Sequence, residues 1–129
     1  MSLTPGRRIG AALCAVQGLV AVAAGAFGAH ATSDAAVREL LRTGAQYQGL
    51  HALAGLVALI ALPAAGRLGA AAGWLFCAGA LLFGASLDAL ALGAPRVVGA
   101  ITPLGGLAMM LGWLLLALAV ARPTTRNPA

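Results

Sequence analysis

A chain of 129 residues that is 61% hydrophobic and 9% charged, with a mean hydropathy of +0.96, carries more apolar surface than a small soluble core can hide. Ordinary soluble domains are about 25% charged, so lipid is expected to cover the remainder, around a single membrane domain spanning residues 1–129. The net charge of +5 comes from eight arginines, without lysine, against three acids. They sit singly or in pairs near segment ends, which excludes the basic stripe that a nucleic-acid-binding protein needs.

The first apolar run, Ile9–Ala29, is long enough to cross a bilayer. Arg7-Arg8 before it and Ala29-His30-Ala31 after it imitate a cleavable signal sequence. The run is about twice the usual length of a signal core, and Gly10 and Ala11 stand where a twin-arginine signal needs bulky apolar residues. A retained helix is therefore expected. Next comes the polar stretch Thr32–Thr43. Ser33 or Asp34 can cap a short helix there, Asp34 and Arg38 stand at i,i+4, and Val37, Leu40 and Leu41 share an apolar face. That pattern predicts an interfacial helix lying along the membrane surface.

Further spans are expected at about 46–65, 68–92 and 101–121, giving an all-α, four-span antiparallel bundle. Pro63, Gly66-Arg67, Gly93-Ala94-Pro95-Arg96 and Arg122-Pro123 punctuate them. Thr102-Pro103 has the form of an N-cap followed by proline at the first helical position, with Val97–Ile101 as an apolar lead-in. Arg7, Arg8, Arg67, Arg122 and Arg126 then share one side, against Arg38, Arg42 and Arg96 on the other. The positive-inside bias puts both termini in the cytoplasm.

Helices in lipid pack through small residues. At 100° per residue, Gly73, Cys77, Ala80, Gly84 and Asp88 fall in one sector of the third span, with Ser86 opposite. Gly44, Tyr47, Gln48, His51, Gly55 and Ala58 share a side of the second span. Thr102, Gly105, Gly106, Met109 and Trp113 share one on the fourth, and Ala21, Gly25 and Ala29 line the first. Cys14 and Cys77 read as packed small residues. His30, Tyr47, His51, Asp88 and Thr102 all lie near span ends on one side of the membrane, which predicts a single inward-facing polar layer. A site of His30, His51 and Asp88 has the residue types for a metal, but no tight ligand spacing such as HExxH, and no metal or other cofactor is expected. Nucleophilic catalysis also lacks a constellation, because Ser86 points away from Asp88 and neither cysteine lies at a histidine level.

Gly25-Ala26-Phe27-Gly28-Ala29-His30, Thr43-Gly44-Ala45-Gln46-Tyr47-Gln48-Gly49-Leu50-His51-Ala52-Leu53, Leu82-Phe83-Gly84-Ala85-Ser86-Leu87, Ile101-Thr102-Pro103-Leu104-Gly105-Gly106 and Gly112-Trp113 follow one another in a distinctive order. Together they resemble the YgdD-like family (DUF423) of small membrane proteins of unknown function. The resemblance extends over essentially the whole chain and implies a four-helix integral membrane protein, without implying an activity. That family commonly has an aromatic residue after its Ser-Leu pair, where this chain has Asp88. His30, Tyr47, His51 and Thr102 lie inside matching motifs, so the resemblance favours them over Asp88 as site residues.

The leading expectation is a non-enzymatic structural or accessory protein of a bacterial inner membrane. Its expected partners are the lipid bilayer and either a second copy or another membrane protein. A small oligomeric transporter or channel for a solute or proton is the alternative, and a metal-dependent membrane enzyme the weakest reading.

Overall fold

The computed structural model describes residues 2–123, which form the helices α1 (Pro5–His30), α2 (Ala35–Leu56), α3 (Gly66–Ala91) and α4 (Ile101–Ala121). A π-helical segment, Val57–Ala61, prolongs α2, and 3-10 turns at Pro63–Ala65 and Arg96–Ala100 lead into α3 and α4. Arg126, assigned above to the side of the termini, lies outside the described residues. Among the described residues, three segments are long and apolar enough to cross a membrane: Pro5–His30, Pro63–Ala91 and Arg96–Ala121. α2 is not among them, because Arg38, Glu39, Arg42, Gln46 and Gln48 make its first two-thirds polar.

The start of α1 follows from its cap. Thr4 Oγ1 accepts from the Arg7 backbone N–H at 3.4 Å, and Pro5 stands where a missing N–H loses nothing. Ala11, Cys14, Gln17, Ala21 and Gly28 are buried, at spacings that keep to one helical face. Gly28, packed on Leu41, replaces the expected Ala29, which is exposed; Gly25 is only half-buried, beside Ala45.

No separate interfacial helix forms. Asp34 caps as its position predicts, its Oδ1 accepting from the Ala36 and Val37 N–H groups at 2.9 and 3.2 Å. From there α2 continues without a break to Leu56. Gly44 does not interrupt it: it keeps a right-handed backbone and packs against Leu87 of α3. The expected Asp34–Arg38 pair is also absent: the carboxylate is committed to the cap, and the Arg38 guanidinium donates to the Thr32 carbonyl at 2.9 Å. The ion pair on this helix is Arg42 with Glu39, at 3.3 Å and exposed.

The far end of α2 widens into the π segment before Leu62-Pro63 stops it. Loosened carbonyls there need donors. Arg7 supplies them, donating to Ala58 O at 3.3 Å, Leu59 O at 3.1 Å and Gly66 O at 2.8 Å. The start of α1 is thereby fastened to the α2–α3 turn. Gly66 turns that corner at φ +60°, a conformation that a side chain resists. Arg67 and Arg122 line one hollow and Arg7 and Arg67 another, so all three cations share this end of the molecule.

α3 is the central helix, packed on α2 along one side and α4 along the other, with a lighter contact to α1. The bundle is therefore uneven, with α4 leaning chiefly on α3. Their crossing depends on glycine. A Cβ on Gly105 would stand 2.6 Å from Phe83 N and 2.8 Å from Gly79 O, and one on Gly79 would meet Met109 and Gly105 O. Gly112 lies close against Phe76. Gly55, Gly73 and Gly84 serve the other contacts, facing Cys14, Leu59 and Gln48 in turn. Gly106 does not pack: its nearest neighbour would be a Phe83 ring carbon at 4.0 Å. Nor does Thr102 cap α4, which begins one residue earlier, at Ile101, directly from the 3-10 turn.

Candidate polar seam between the helices

The expected single layer resolves into separate pairings at several depths along α3. The outermost joins α3 to α4. The Ser86 hydroxyl donates to Phe83 O at 3.0 Å, which commits its one hydrogen. Thr102 Oγ1, 2.6 Å from Ser86 Oγ, must therefore donate to it. Ser86 does lie on a different side of α3 from the Asp88 stripe, but that side faces α4 and is 4% exposed.

A second pairing was not foreseen. Gln17 is 5% exposed within the apolar run of α1, and its Nε2 donates to Cys77 O at 2.9 Å. The same nitrogen reaches Cys77 Sγ at 3.4 Å. Its Oε1 is left to accept from Gln48 Nε2 through a long 3.5 Å contact. This fixes the orientation of both amides: Gln17 turns its oxygen toward Gln48, so Gln48 must present nitrogen. Gln48 Oε1 then lies over Gly84 with no hydrogen-bond partner.

The third pairing links α2 to α4. Trp113 Nε1 donates to His51 Nε2 at 3.0 Å, so that ring nitrogen is unprotonated. His51 Nδ1 therefore carries the proton and donates to the Tyr47 carbonyl at 2.7 Å. His51 is 5% exposed, and both ring nitrogens are occupied. The Tyr47 ring stacks on the imidazole, centroids 6.1 Å apart, Trp113 meets it edge-on and Phe76 lies tilted against it. Tyr47 contributes a carbonyl and a ring face; its hydroxyl makes no hydrogen bond among the described residues.

Two expected members stand apart. His30 ends α1 exposed and has no side-chain partner among the described residues, because the stripe that faces α2 passes through Gly28. Asp88 is half-buried near Gly44, with Oδ1 unpaired. The separation along α3 between Asp88 and Phe76, beside His51, is twelve residues, or about 18 Å of helix. His30, His51 and Asp88 are not gathered, and the described residues hold no cluster of three His, Cys, Asp or Glu side chains suited to a metal.

Residues 24–106 match the family model described as "Protein of unknown function (DUF423)". The chain belongs to the DUF423 family. Curated DUF423-like relatives are membrane proteins of similar size. The UPF0382 membrane protein YwdK of Bacillus subtilis is 37% identical over 115 residues, covering 85% of this chain and 94% of the relative. A UPF0382 membrane protein of Haemophilus influenzae is 43% identical over 111 residues, covering 81% and 87%. The UPF0382 inner membrane protein YgdD of Escherichia coli is 37% identical over 114 residues, covering 84% and 86%. No solved structure matches the chain. This DUF423 protein is accordingly a helical membrane protein of bacterial type, set in a lipid bilayer, in a family whose function is unknown. The matched segment holds Tyr47, His51, Ser86, Asp88 and Thr102; Gln17 and Trp113 lie outside it.

Proposed function

We propose that this DUF423 protein is a non-enzymatic accessory protein of the bacterial inner membrane, a rigid four-span unit that docks against another membrane protein or a second copy. One observation carries the reading. His51, the buried histidine of the seam, has one ring nitrogen taken by Trp113 and the other by Tyr47 O. Neither is free to bind a metal or relay a proton to a substrate, and an interhelical bond like that from Trp113 typically contributes about 0.6 kcal/mol in membranes.

The fourth crossing is assigned to α2 with its π extension. Residues 35–61 are continuous and about 40 Å long, enough for a bilayer core of about 30 Å with the Arg38–Arg42 turn standing outside it. Its first turns take the interfacial role. Arg7, Arg8, Arg67 and Arg122 at one end, against Arg38, Arg42 and Arg96 at the other, favour cytoplasmic termini.

Native mass spectrometry from nanodiscs formed out of the native membrane tests this. A stoichiometric second copy or protein partner is expected, retained in wild type and lost with His51→Ala. A bare monomer without a protein partner overturns the proposal. The alternative of a small transporter is favoured by one observation, the unpaired acceptors Gln48 Oε1 and Asp88 Oδ1; transport would appear as solute accumulation in sealed vesicles.

A further inference from the structure

Between α1 and α3 the helices part enough to leave a groove of about 210 Å³. Leu13, Val16 and Val20 form one wall, and Leu81 and Ala85 the other. Gln17, Gln48 and Asp88 lie at its base, where little polar surface is open to the groove. The exposed flanks are apolar and face lipid, Leu13 being 46% and Leu81 51% exposed.

Beneath the base lie acceptors without donors. Gln48 is 2% exposed, and the hydrogen-bond order through Gln17 turns its unpaired Oε1 away from Gln17. Asp88 adds Oδ1, also unpaired, one turn along α3 from the Gly84 over which Gln48 lies. Among the described residues Asp88 forms no ion pair; Arg42 pairs with Glu39 and Arg38 donates to Thr32 O. Buried acceptors left without donors are expensive, so a missing donor is the feature to explain. Apolar walls, entry from lipid, a carboxylate and a second acceptor describe a complementary ligand closely. It carries a long apolar chain and a cationic head that can donate hydrogen bonds.

We propose that the α1–α3 groove binds a lipophilic primary ammonium from the bilayer. Its chain lies along Leu13, Val16, Val20 and Leu81, and its N–H groups donate to Asp88 and Gln48 Oε1. Both oxygens lie just beneath the base, closed to a water molecule, so the head reaches them through a rotamer change of Gln48 or Asp88. This site goes beyond the accessory role and does not depend on it: a docked scaffold and a free monomer would both carry the groove.

Three probes of equal chain length separate the contributions: dodecylammonium, dodecyltrimethylammonium and dodecanol, each added to the full chain in neutral-lipid nanodiscs while its melting temperature is followed. Dodecylammonium is expected to raise the melting temperature by several degrees, the trimethylated cation to do so much less, and the alcohol not at all. Asp88→Asn should abolish the dodecylammonium shift and weaken binding at least tenfold, and Gln48→Leu should reduce it. Leu81→Trp, which fills the groove from its lipid side without touching its base, should also abolish it in a folded protein. Equal shifts from all three probes, or an Asp88→Asn variant that responds like wild type, would overturn the proposal. So would the absence of any shift from dodecylammonium. Loss of the partner in native mass spectrometry with the shift intact would instead overturn the accessory role alone.

Discussion

Gly105 and Gly106 are neighbours in sequence with opposite surroundings, which makes them a sharp test of how α4 is held. A methyl group on Gly105 would stand 2.6 Å from Phe83 N, 2.8 Å from Gly79 O and 3.0 Å from Phe83 Cα. All three are backbone atoms, so no rotamer change relieves the contact, and α3 and α4 must separate by roughly 0.8 Å to restore ordinary spacing. Overpacking of this kind costs about 1–3 kcal/mol, while the gain in helix propensity from Gly to Ala returns at most about 1 kcal/mol. Gly105→Ala should therefore lose about 1–2 kcal/mol. A methyl on Gly106 meets only a Phe83 ring carbon at 4.0 Å, so Gly106→Ala should be neutral or slightly stabilising. Reversible unfolding in mixed micelles, followed by the tryptophan signal of Trp74 and Trp113, measures both. Equal losses at the two positions, or no loss at Gly105, would refute the close α3–α4 crossing.

Trp113→Phe keeps an aromatic ring against Phe76 but leaves His51 Nε2 without its donor. A loss of about 0.6–1.7 kcal/mol is expected in the same unfolding assay, most of it cancelled when His51 is already Phe, whereas Tyr47→Phe should change stability by less than about 0.5 kcal/mol. Arg7→Gln withdraws the guanidinium from three carbonyls around the π segment and the α2–α3 turn, at an expected cost of about 1–3 kcal/mol. Hydrogen exchange should show faster opening at Leu62–Gly66 in that variant while the α3–α4 contact stays protected.

Much of this molecule can be read from residue spacing. Asp34, Pro63 and Arg122 mark or flank helix ends because caps and breaks are local, set by a few consecutive residues. Helical phase also separated Ser86 from Asp88, since both lie on one helix of known period. Phase does not tell how many neighbours a helix has. α3 is covered on two sides, so the face opposite Asp88 meets α4, and Ser86 finds Thr102 there.

Depth was the second blind spot. Thr102 and Trp113 share a face of α4, yet eleven residues separate them, about 16 Å of rise, so they meet different levels of α3. Counting rise as well as phase would have split the polar layer in advance. Gln17 was hidden for another reason. A lone amide in a run of apolar residues barely lowers its hydropathy, and its partners, Cys77 O and Gln48, are 60 and 31 positions away. The uncommon signal was available, because a neutral amide in the middle of a span nearly always turns inward to find a partner. The missing interfacial helix has a simpler cause: polarity changes at Thr43, but nothing there stops the hydrogen-bond ladder.

That the polar seam is internal structure, with His51 committed on both sides, can be tested most directly by nitrogen-15 NMR of His51 in nanodiscs at mildly alkaline pH. The expected spectrum shows a neutral ring protonated at Nδ1, with Nε2 accepting from an indole N–H, and Trp113→Phe shifts the Nε2 resonance alone. A ring protonated at Nε2, or a Nε2 resonance indifferent to Trp113, would contradict it.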